Sequence, residues 1–333
     1  MHKDALKGQM DAQKAPRRFV FVLTDNFSLL SYAAAVDCLR IANRMAEQRI
    51  YTWVASGDSD DTVSCSAGSR FKLDMPLSEL ARDDTILICG GTDIQKATTK
   101  RLLNWIRREA RRGLKIGGLC TASYVLAKAG LLEGKKATIH WENHDSFAEE
   151  FDDVELTKSV FTVDGNRMTT AGGTSSIDLM LKLIADDYDE KMANAVADQL
   201  IYASIRTDQD TQRLSVPTRI GVRHPKLSQV IQMMEANIEE PISPSILAKD
   251  AGMSTRQLER LFRRYLNRSP KRYYMELRLQ KARNLLMQTD MTVINVALAC
   301  GFSSPSHFSK CYRAHYNTTP YRERGSHSSR LSV

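Results

Sequence analysis

A cysteine at a predicted strand-to-helix turn is the first residue that could do chemistry. The apolar strand over residues 114–119 runs directly into Cys120, and helical spacing begins at Thr121. Such a turn places the side chain above the carboxyl edge of a parallel sheet, where ligands bind. It is akin to a nucleophile elbow that lacks the Gly-x-Ser-x-Gly motif. Because the thiol would lie at a helix N-terminus, we expect its pKa to be lowered.

Three interpretations of Cys120 are open. We favour a residue that lines the pocket of a non-catalytic sensor; a buried structural thiol and a working nucleophile are the alternatives. His140 and His144 have the four-residue spacing of metal ligands on a helix. The sequence offers no third ligand, so we predict neither a metal site nor a cofactor.

An internal repeat in the last third of the chain is the strongest pattern. One copy contains Leu-Ala-Lys-Asp-Ala-Gly-Met-Ser at 247–254, and the other contains Val-Ala-Leu-Ala-Cys-Gly-Phe-Ser at 296–303. An amphipathic helix follows each copy and is expected to stop at a proline, Pro270 or Pro320. The glycine supplies the left-handed residue of a tight turn. Short helix, glycine turn and second helix make a helix-turn-helix (HTH).

The second helix of each copy exposes side chains suited to a DNA groove. Arginine can bind guanine with two hydrogen bonds, glutamine can bind adenine in the same way, and lysine or serine can hold phosphate. A helix over residues 270–288 would fix the two reading helices about 34 Å apart if they enter successive grooves. The alternative is a basic helical bundle that binds no DNA. The predicted DNA-contacting residues are Thr255, Arg256, Gln257, Arg260, Arg263, Arg264, Ser306, His307, Lys310 and Arg313.

The charge is distributed unevenly along the 333 residues. The net charge is +8, and residues 221–333 contain 18 Lys and Arg against 8 Asp and Glu, while the remainder contains 29 against 31. This asymmetry favours a polyanionic partner for the C-terminal part, although charge alone also fits a solvated face. The six cysteines are scattered, which suits a reducing cytoplasm. No run of about 18 apolar residues indicates a membrane span.

The first part of the chain alternates predicted strands and helices. This order predicts an α/β sensor domain, a parallel sheet with helices on both faces, followed by an all-α double HTH domain. The predicted strands cover 18–23, 51–56, 85–89, 114–119 and 167–170, and the helices cover 31–45, 102–112, 121–129, 177–185 and 189–206. The predicted divisions are a disordered tail at 1–15, the α/β domain at 16–206, a linker at 207–223, the DNA-binding domain at 224–324 and a disordered tail at 325–333.

Residues 299–313, Ala-Cys-Gly-Phe-Ser-Ser-Pro-Ser-His-Phe-Ser-Lys-Cys-Tyr-Arg, closely resemble the signature of the AraC/XylS family of bacterial regulators. The resemblance covers about residues 226–324. It implies a regulator that binds double-stranded promoter DNA, usually as an activator that contacts RNA polymerase. Function also leads us to expect a homodimer.

The segment from Gly117 to Ser123, with Ala171-Gly-Gly-Thr-Ser-Ser-Ile-Asp at 171–178, resembles the PfpI-type branch of the class I glutamine amidotransferase-like fold. Some AraC/XylS regulators carry such a domain and are called GlxA-like. Catalytic relatives pair the elbow cysteine with a histidine, which matches Cys120 and His140. The carboxylate that some relatives place after the first strand falls near Ser28, so the resemblance favours a sensor over an enzyme.

Several members of this composite family sense amino acids or quaternary ammonium compounds. The segments 219–226 and 234–241 resemble the betaine/choline-catabolism branch. Trp141, Trp53 and Phe27 could then form an aromatic cage around a cation. The predicted effector-binding residues are Phe27, Ser28, Gly91, Cys120, Thr121, His140 and Trp141.

The sequence thus predicts a cytoplasmic, effector-controlled transcriptional regulator that is not an enzyme. Binding of the metabolite shifts the protein between states because one state binds it better. Two alternatives stay open: a cysteine-dependent hydrolase or amidotransferase with a DNA-binding domain, and a DNA-binding regulator that needs no ligand.

Overall fold

The computed structural model describes residues 15–59, 61–212, 216–221 and 224–329. It divides into two compact units, Met1–Gln212 and Arg213–Val333, and each is described by itself. Of the predicted amino-terminal tail only Ala15 is described. Parts of the predicted linker, at 213–215 and 222–223, and the last four residues lie outside the described ranges.

The first unit is built around a seven-stranded sheet. The strands of the unit are β1 (Arg17–Leu23), β2 (Tyr51–Gly57), β3 (Thr62–Ser64), β4 (Arg70–Lys72), β5 (Met75–Pro76), β6 (Thr85–Cys89), β7 (Lys115–Leu119), β8 (Lys136–Ala137), β9 (Glu155–Leu156), β10 (Phe161–Asp164) and β11 (Arg167–Thr170). The strand order of the sheet is β10-β11-β7-β6-β1-β2-β5, and every pairing in it is parallel except that of β10 with β11.

Helices cover both faces of this sheet. They are α1 (Leu29–Met45), α2 (Ile94–Ala97), α3 (Lys100–Arg111), α4 (Ser123–Lys128), α5 (His144–Glu150), α6 (Ser175–Asp187) and α7 (Glu190–Gln199). Successive residues of β1 point to opposite faces, so Phe19 and Phe21 pack with α1, α6 and α7, whereas Val20 and Val22 pack with α3, α4 and α5. The predicted α/β class with a parallel sheet is confirmed.

The prediction of a helix over 189–206 is wrong beyond Gln199. Leu200 caps α7, and Ile201 takes a left-handed conformation with φ 54°, which turns the chain out of the helix. The chain then returns to α6, where Arg206 pairs with the buried Asp178 at 2.7 Å. The sequence analysis also missed β10, and the short pairs β3–β4 and β8–β9.

The described part of the second unit is helical throughout. Its helices are α8 (Val216–Ile220), α9 (Pro225–Ala236), α10 (Pro244–Asp250), α11 (Thr255–Leu266), α12 (Pro270–Gln288), α13 (Val293–Ala299), α14 (Pro305–Tyr316) and α15 (Pro320–Ser329). The last helix therefore extends five residues into the segment predicted as a disordered tail. Within the described ranges, we find no helix both long enough and apolar enough to cross a bilayer.

The two HTH copies have separate cores. Leu258 and Phe262 of α11 are buried against α9 and α10. Phe308 and Tyr312, fifty residues further on, occupy the same places in α14 and pack against α12 and α13. An all-α double HTH is therefore confirmed as the fold of this unit.

Asparagine, not proline, ends the second helix of each copy. Asn267 and Asn317 are left-handed, with φ 52° and 56°, and the backbone N–H of each donates to a carbonyl of the last turn. The expected stops, Pro270 and Pro320, instead begin α12 and α15. Proline is favoured at the first position of a helix because the missing N–H has no intrahelical partner there.

Candidate functional sites

Loops that follow four neighbouring strands meet at the carboxyl edge of the sheet. The N–H of Ser28, after β1, donates to the carbonyl of Gly90, after β6, at 2.9 Å. The N–H of Gly90 donates in turn to Leu119 at the end of β7, at 3.1 Å. A Cβ at Gly91 would lie 1.9 Å from the carbonyl oxygen of Asn26, so only glycine permits this approach. The loops at this edge are therefore closely connected, and we call this part of the unit the platform.

Cys120 stands on that platform at a strained backbone position. Its φ is 63°, a left-handed value that is unusual for any residue with a side chain, and it opens a 3-10 turn over Cys120–Ala122 ahead of α4. A Cβ at Gly172, in the loop after β11, would lie 2.5 Å from the Cβ of Cys120. The sequence therefore correctly predicts an elbow, and the glycine loop lies directly against it.

The expectation of an acidic thiol is wrong. Burial raises the pKa of Cys120 to about 11, since a thiolate would lose its hydration there. A hydrogen bond from the N–H of Thr121 opposes the shift, and the nearby charge of Glu142 adds to it. The helix that follows is only six residues long and begins after the 3-10 turn, so it offers a weak dipole. At neutral pH the group is a thiol.

His140 is not arranged as a base for Cys120. Burial lowers the pKa of the imidazole, which is therefore neutral near pH 7. Its Nδ1 accepts a hydrogen bond from the N–H of Glu142 at 3.4 Å, which leaves the proton on Nε2. Among the described residues, Cys120 and His140 form no hydrogen bond with each other. A thiol–imidazole pair of the kind used in cysteine hydrolases is not assembled.

The predicted effector residues divide into two groups. Thr121 and Gly91 join directly, since the Thr121 hydroxyl donates to the Gly91 carbonyl at 2.7 Å. Ser28 lies on the same edge, but its hydroxyl caps α1 and accepts from Ser31 at 2.9 Å. Trp141 and His140 are neighbours, with ring centroids 5.7 Å apart, and Trp141 is 39% exposed.

The three aromatic residues do not form the suggested cage. Phe27 is fully buried, and its ring contacts Tyr32 and Phe71, so it offers no open face. Trp53 pairs with Phe19 in the first half of its strand, about 13 Å before the carboxyl edge at about 3.3 Å per residue. Phe27 is therefore excluded by its burial and Trp53 by its position, whereas Trp141 is 39% exposed.

Sequence reasoning missed three residues of this site. Glu142 places a carboxylate close enough to Cys120 to influence its charge state. Ser31 donates to Ser28 and accepts from the N–H of Gly173 at 2.7 Å, which ties the glycine loop to α1. The adjacent Gly172 and Gly173 indicated that another part of the chain approaches the backbone closely there, but the sequence did not indicate which strand it follows.

The two candidate reading helices present polar faces. All ten predicted DNA-contacting residues are exposed on α11 or α14. A capping box opens α11: the Oε1 of Gln257 accepts from the N–H of Ser254 at 2.8 Å. This contact occupies the carbonyl that Gln257 would use toward adenine, so its amide NH₂ is the part left for a base.

The two faces differ in charge. The helix α11 contains four arginines and Glu259, whereas α14 contains Lys310, Arg313 and two histidines. Cys311 is half-buried, and its sulfur lies 3.4 Å from the Nε2 of His307. The first face is therefore suited mainly to phosphates and guanines, and the second offers a more varied set of donors.

A clamp holds the turn of the second copy. The guanidinium of Arg278, on α12, donates to the carbonyls of Cys300 and Gly301 at 2.7 and 2.6 Å. It also lies over the ring of Phe302, 4.1 Å from the centroid. In the first copy Lys226 takes the corresponding place and donates once, to Gly252 at 2.7 Å. Sequence reasoning found neither residue.

The two units match two known families. The helix-turn-helix domain family matches residues 247–326, and the DJ-1/PfpI family matches residues 17–186. The chain is 44% identical over 306 residues to the HTH-type transcriptional regulator CdhR of Pseudomonas aeruginosa, covering 92% of this chain and 91% of that protein. It is 41% identical over 309 residues to the HTH-type transcriptional regulator GbdR of the same organism, covering 93% and 84%.

A solved structure resembles the first unit. It is a ThiJ/PfpI family protein from Pseudomonas syringae, with a TM-score of 0.52, 21% identity, and coverage of 69% of this chain and 93% of that chain. At this identity the likeness shows the fold alone. The sheet with Cys120 on its carboxyl edge is therefore an instance of that fold.

Proposed function

Because this chain belongs to the AraC-type HTH transcriptional regulators that carry an amino-terminal DJ-1/PfpI domain, we propose that α11 and α14 read promoter DNA under the control of a small metabolite. One observation carries the proposal. Two HTH copies, with the same core positions and the same asparagine ends, each present an exposed polar helix.

The proposed contacts divide by chemistry. Arg256 and His307 lie near the starts of their helices and read base edges, as the N-terminal residues of recognition helices do. Arg263 and Arg313 lie near the ends and hold phosphate. The other proposed contacts are Thr255, Gln257, Arg260, Arg264, Ser306 and Lys310, all of which are exposed.

Selection of binding sites from a random duplex library tests this assignment. Wild type is expected to enrich a site with two half-sites, and Arg256→Ala or His307→Ala to lose preference at one base position, at a cost of about 1–3 kcal/mol. Glu259→Ala, on the exposed face of α11, is the matched control and should keep the preference. If all three variants select the wild-type motif, the assignment of the reading residues is wrong.

The proposed effector site is the platform around Cys120. In this proposal Cys120, Thr121 and Gly91, which lie together on the carboxyl edge, contact the effector, and Ser28, His140 and Trp141 add contacts from neighbouring segments. Phe27 is fully buried and pairs with Gly91 through its backbone, so its proposed role is to support the site from within the core. Glu142 brings a negative charge and Trp141 an exposed aromatic ring, a combination that attracts cations. These features support an amino acid or a quaternary ammonium compound as the ligand.

A thermal-unfolding screen of amino acids, betaines and carnitine addresses the effector. A ligand present at about 100 times its Kd should add about 2.7 kcal/mol of stability. Trp141→Ala should reduce that gain, while Val163→Ala, at another exposed apolar residue of the first unit, should leave it unchanged. Silence across the whole panel would favour a regulator that needs no ligand.

Cys120 lines this site and does not act as a nucleophile. The support is the thiol pKa of about 11 and a neutral His140 whose Nδ1 is already occupied. Purified protein is therefore expected to hydrolyse no amide substrate. Turnover that Cys120→Ala abolishes would overturn this part of the proposal and favour the hydrolase alternative.

The family resemblance extends the proposal to activation by a cytoplasmic homodimer that contacts RNA polymerase. Light scattering of the purified protein measures the oligomeric state directly. Transcription in vitro with the selected site upstream of a promoter measures activation. A monomer on DNA, or repression with effector and polymerase present, would contradict these two parts.

A further inference from the structure

The outer face of α3 carries a concentration of positive charge in an otherwise acidic unit. Residues 1–212 contain 27 Lys and Arg against 31 Asp and Glu. Seven of the 27 basic residues fall within residues 100–115, where Glu109 is the only acid. We propose that this face binds the phosphate backbone of duplex DNA, as a sequence-independent contact additional to α11 and α14. The inference rests on the proposed DNA-binding function.

Exposed polar side chains, three of them charged, form a line along α3. Lys100, Asn104, Arg108 and Arg111 recur at intervals of four, four and three residues, which places them along one side of a helix. All four are exposed, and Lys115 at the start of β7 is exposed as well. We call Lys100, Arg108, Arg111 and Lys115 the basic stripe. From Lys100 to Arg111 the helix rises about 16 Å, the length of about five base pairs.

Acidic residues of the same unit pair with the basic residues beside the stripe more than with those of the stripe itself. The buried carboxylate of Glu109 accepts from Arg112 at 2.5 Å and from Arg108 at 3.1 Å. Arg101 pairs with Asp58 at 3.2 Å. Within the described ranges, the other three members of the stripe form no ion pair. Three positive charges are therefore left for an outside partner.

The stability of α3 accounts for only part of the stripe, because Arg108 and Arg111 lie in the last turn, where the helix dipole favours cations. Lys100 and Arg101 occupy the first turn, where the positive end of the helix dipole disfavours cations. Arg107 and Arg111 are like charges four residues apart, a spacing that destabilises a helix. A contact outside the helix therefore explains the charge of Lys100 better than local stabilisation does.

DNA fits the stripe better than a membrane does. Lysine and arginine neutralise phosphates without reading bases, and duplex DNA is the polyanion that the second unit is proposed to bind. Binding in a membrane surface needs apolar residues beside the charges. Every exposed residue of α3 is charged or polar.

Titration of the full-length protein against a labelled random-sequence duplex of about 40 base pairs, between about 50 and 200 mM salt, tests the inference. The test variant combines Lys100→Gln, Arg111→Gln and Lys115→Gln. The control has the same change in net charge at exposed residues elsewhere in the unit: Arg49→Gln, Lys72→Gln and Lys191→Gln. Thermal unfolding verifies that both variants are folded.

Loss of three phosphate contacts should make the slope of log K against log salt concentration shallower by about 2.7. At 0.15 M salt this corresponds to a loss of affinity on the order of 100-fold. The control should keep nearly the wild-type slope. Equal slopes for the test and control variants would overturn the inference. A second variant, with Arg263→Gln and Arg264→Gln, distinguishes this inference from the proposed role of α11. If that variant binds the duplex like wild type while the stripe variant binds it more weakly, the assignment of phosphate contacts to α11 is wrong and the inference about the stripe is supported.

Discussion

The two HTH copies have nearly the same arrangement of helices, but they differ in how much space surrounds the glycine of each turn. In the first copy Gly252 is exposed, and the nearest atom to an added Cβ is the Nζ of Lys226 at 3.7 Å. In the second copy a Cβ at Gly301 would lie 2.6 Å from the carbonyl oxygen of Ile238 and 2.7 Å from Pro241. The loop between α9 and α10 thus packs against the second turn.

This difference shows how the two candidate reading helices are connected within the second unit. Tyr274, on α12, donates to the carbonyl of Asn237 and accepts from the N–H of Ile242 at 3.3 Å, so the same loop is tied to the connecting helix. The first copy is held through its own core, and the second through contacts with its neighbour as well. Their relative orientation is therefore fixed at the second turn.

Substitution of the two glycines should give the largest difference in stability between the two copies. Both are left-handed, with φ 62° and 72°, so alanine costs about 1–2 kcal/mol at either. Gly301→Ala also collides with backbone and Pro241, and we expect a total loss of about 3 kcal/mol or more in the free energy of unfolding. Gly252→Ala should lose only the first amount. Equal losses in denaturant titrations would contradict the difference.

Removal of the two clamps should have the next largest effect. Arg278→Ala leaves two carbonyls without a charged donor and uncovers Phe302, at an expected cost of about 2–3 kcal/mol. Lys226→Ala removes one exposed contact and should cost under about 1 kcal/mol. Arg278→Lys should recover only part of the loss because lysine lacks the planar fork. Matching losses for the two alanine variants would show that the clamps are equivalent.

Substitution of the two asparagines should change the free energy of unfolding least, and by the same amount in each copy. Glycine takes the left-handed conformation without a Cβ penalty, so Asn267→Gly and Asn317→Gly should each add about 0.5 kcal/mol of stability. Thermal unfolding of the single and double variants measures this. Effects that differ between the copies would show that their helix ends are not equivalent.

The sequence predicted the features that depend on local pattern. Apolar runs and helical spacing located the central strands and most of their helices. The repeat located both turns and the exposed faces, because each depends on a few neighbouring residues.

Features that depend on distant partners were missed or wrong. The end of α7 at Gln199 depends on the return of Arg206 to Asp178, and the short strand β10 depends on its pairing with β11. The thiol pKa of Cys120 depends on how deeply the fold buries it. The partners of Arg278 are more than twenty residues away, so no local pattern marks it as a clamp.

The contact between Gly172 and Cys120 has a mechanical consequence. The glycine loop leads straight into α6, and through Ser31 it is fastened to α1. In the proposed site, a ligand that displaced the Cys120 sulfur would displace this loop, and with it the starts of α1 and α6, which lie on the same side of the sheet. A small displacement at one atom would thereby reach the outer surface that these two helices form.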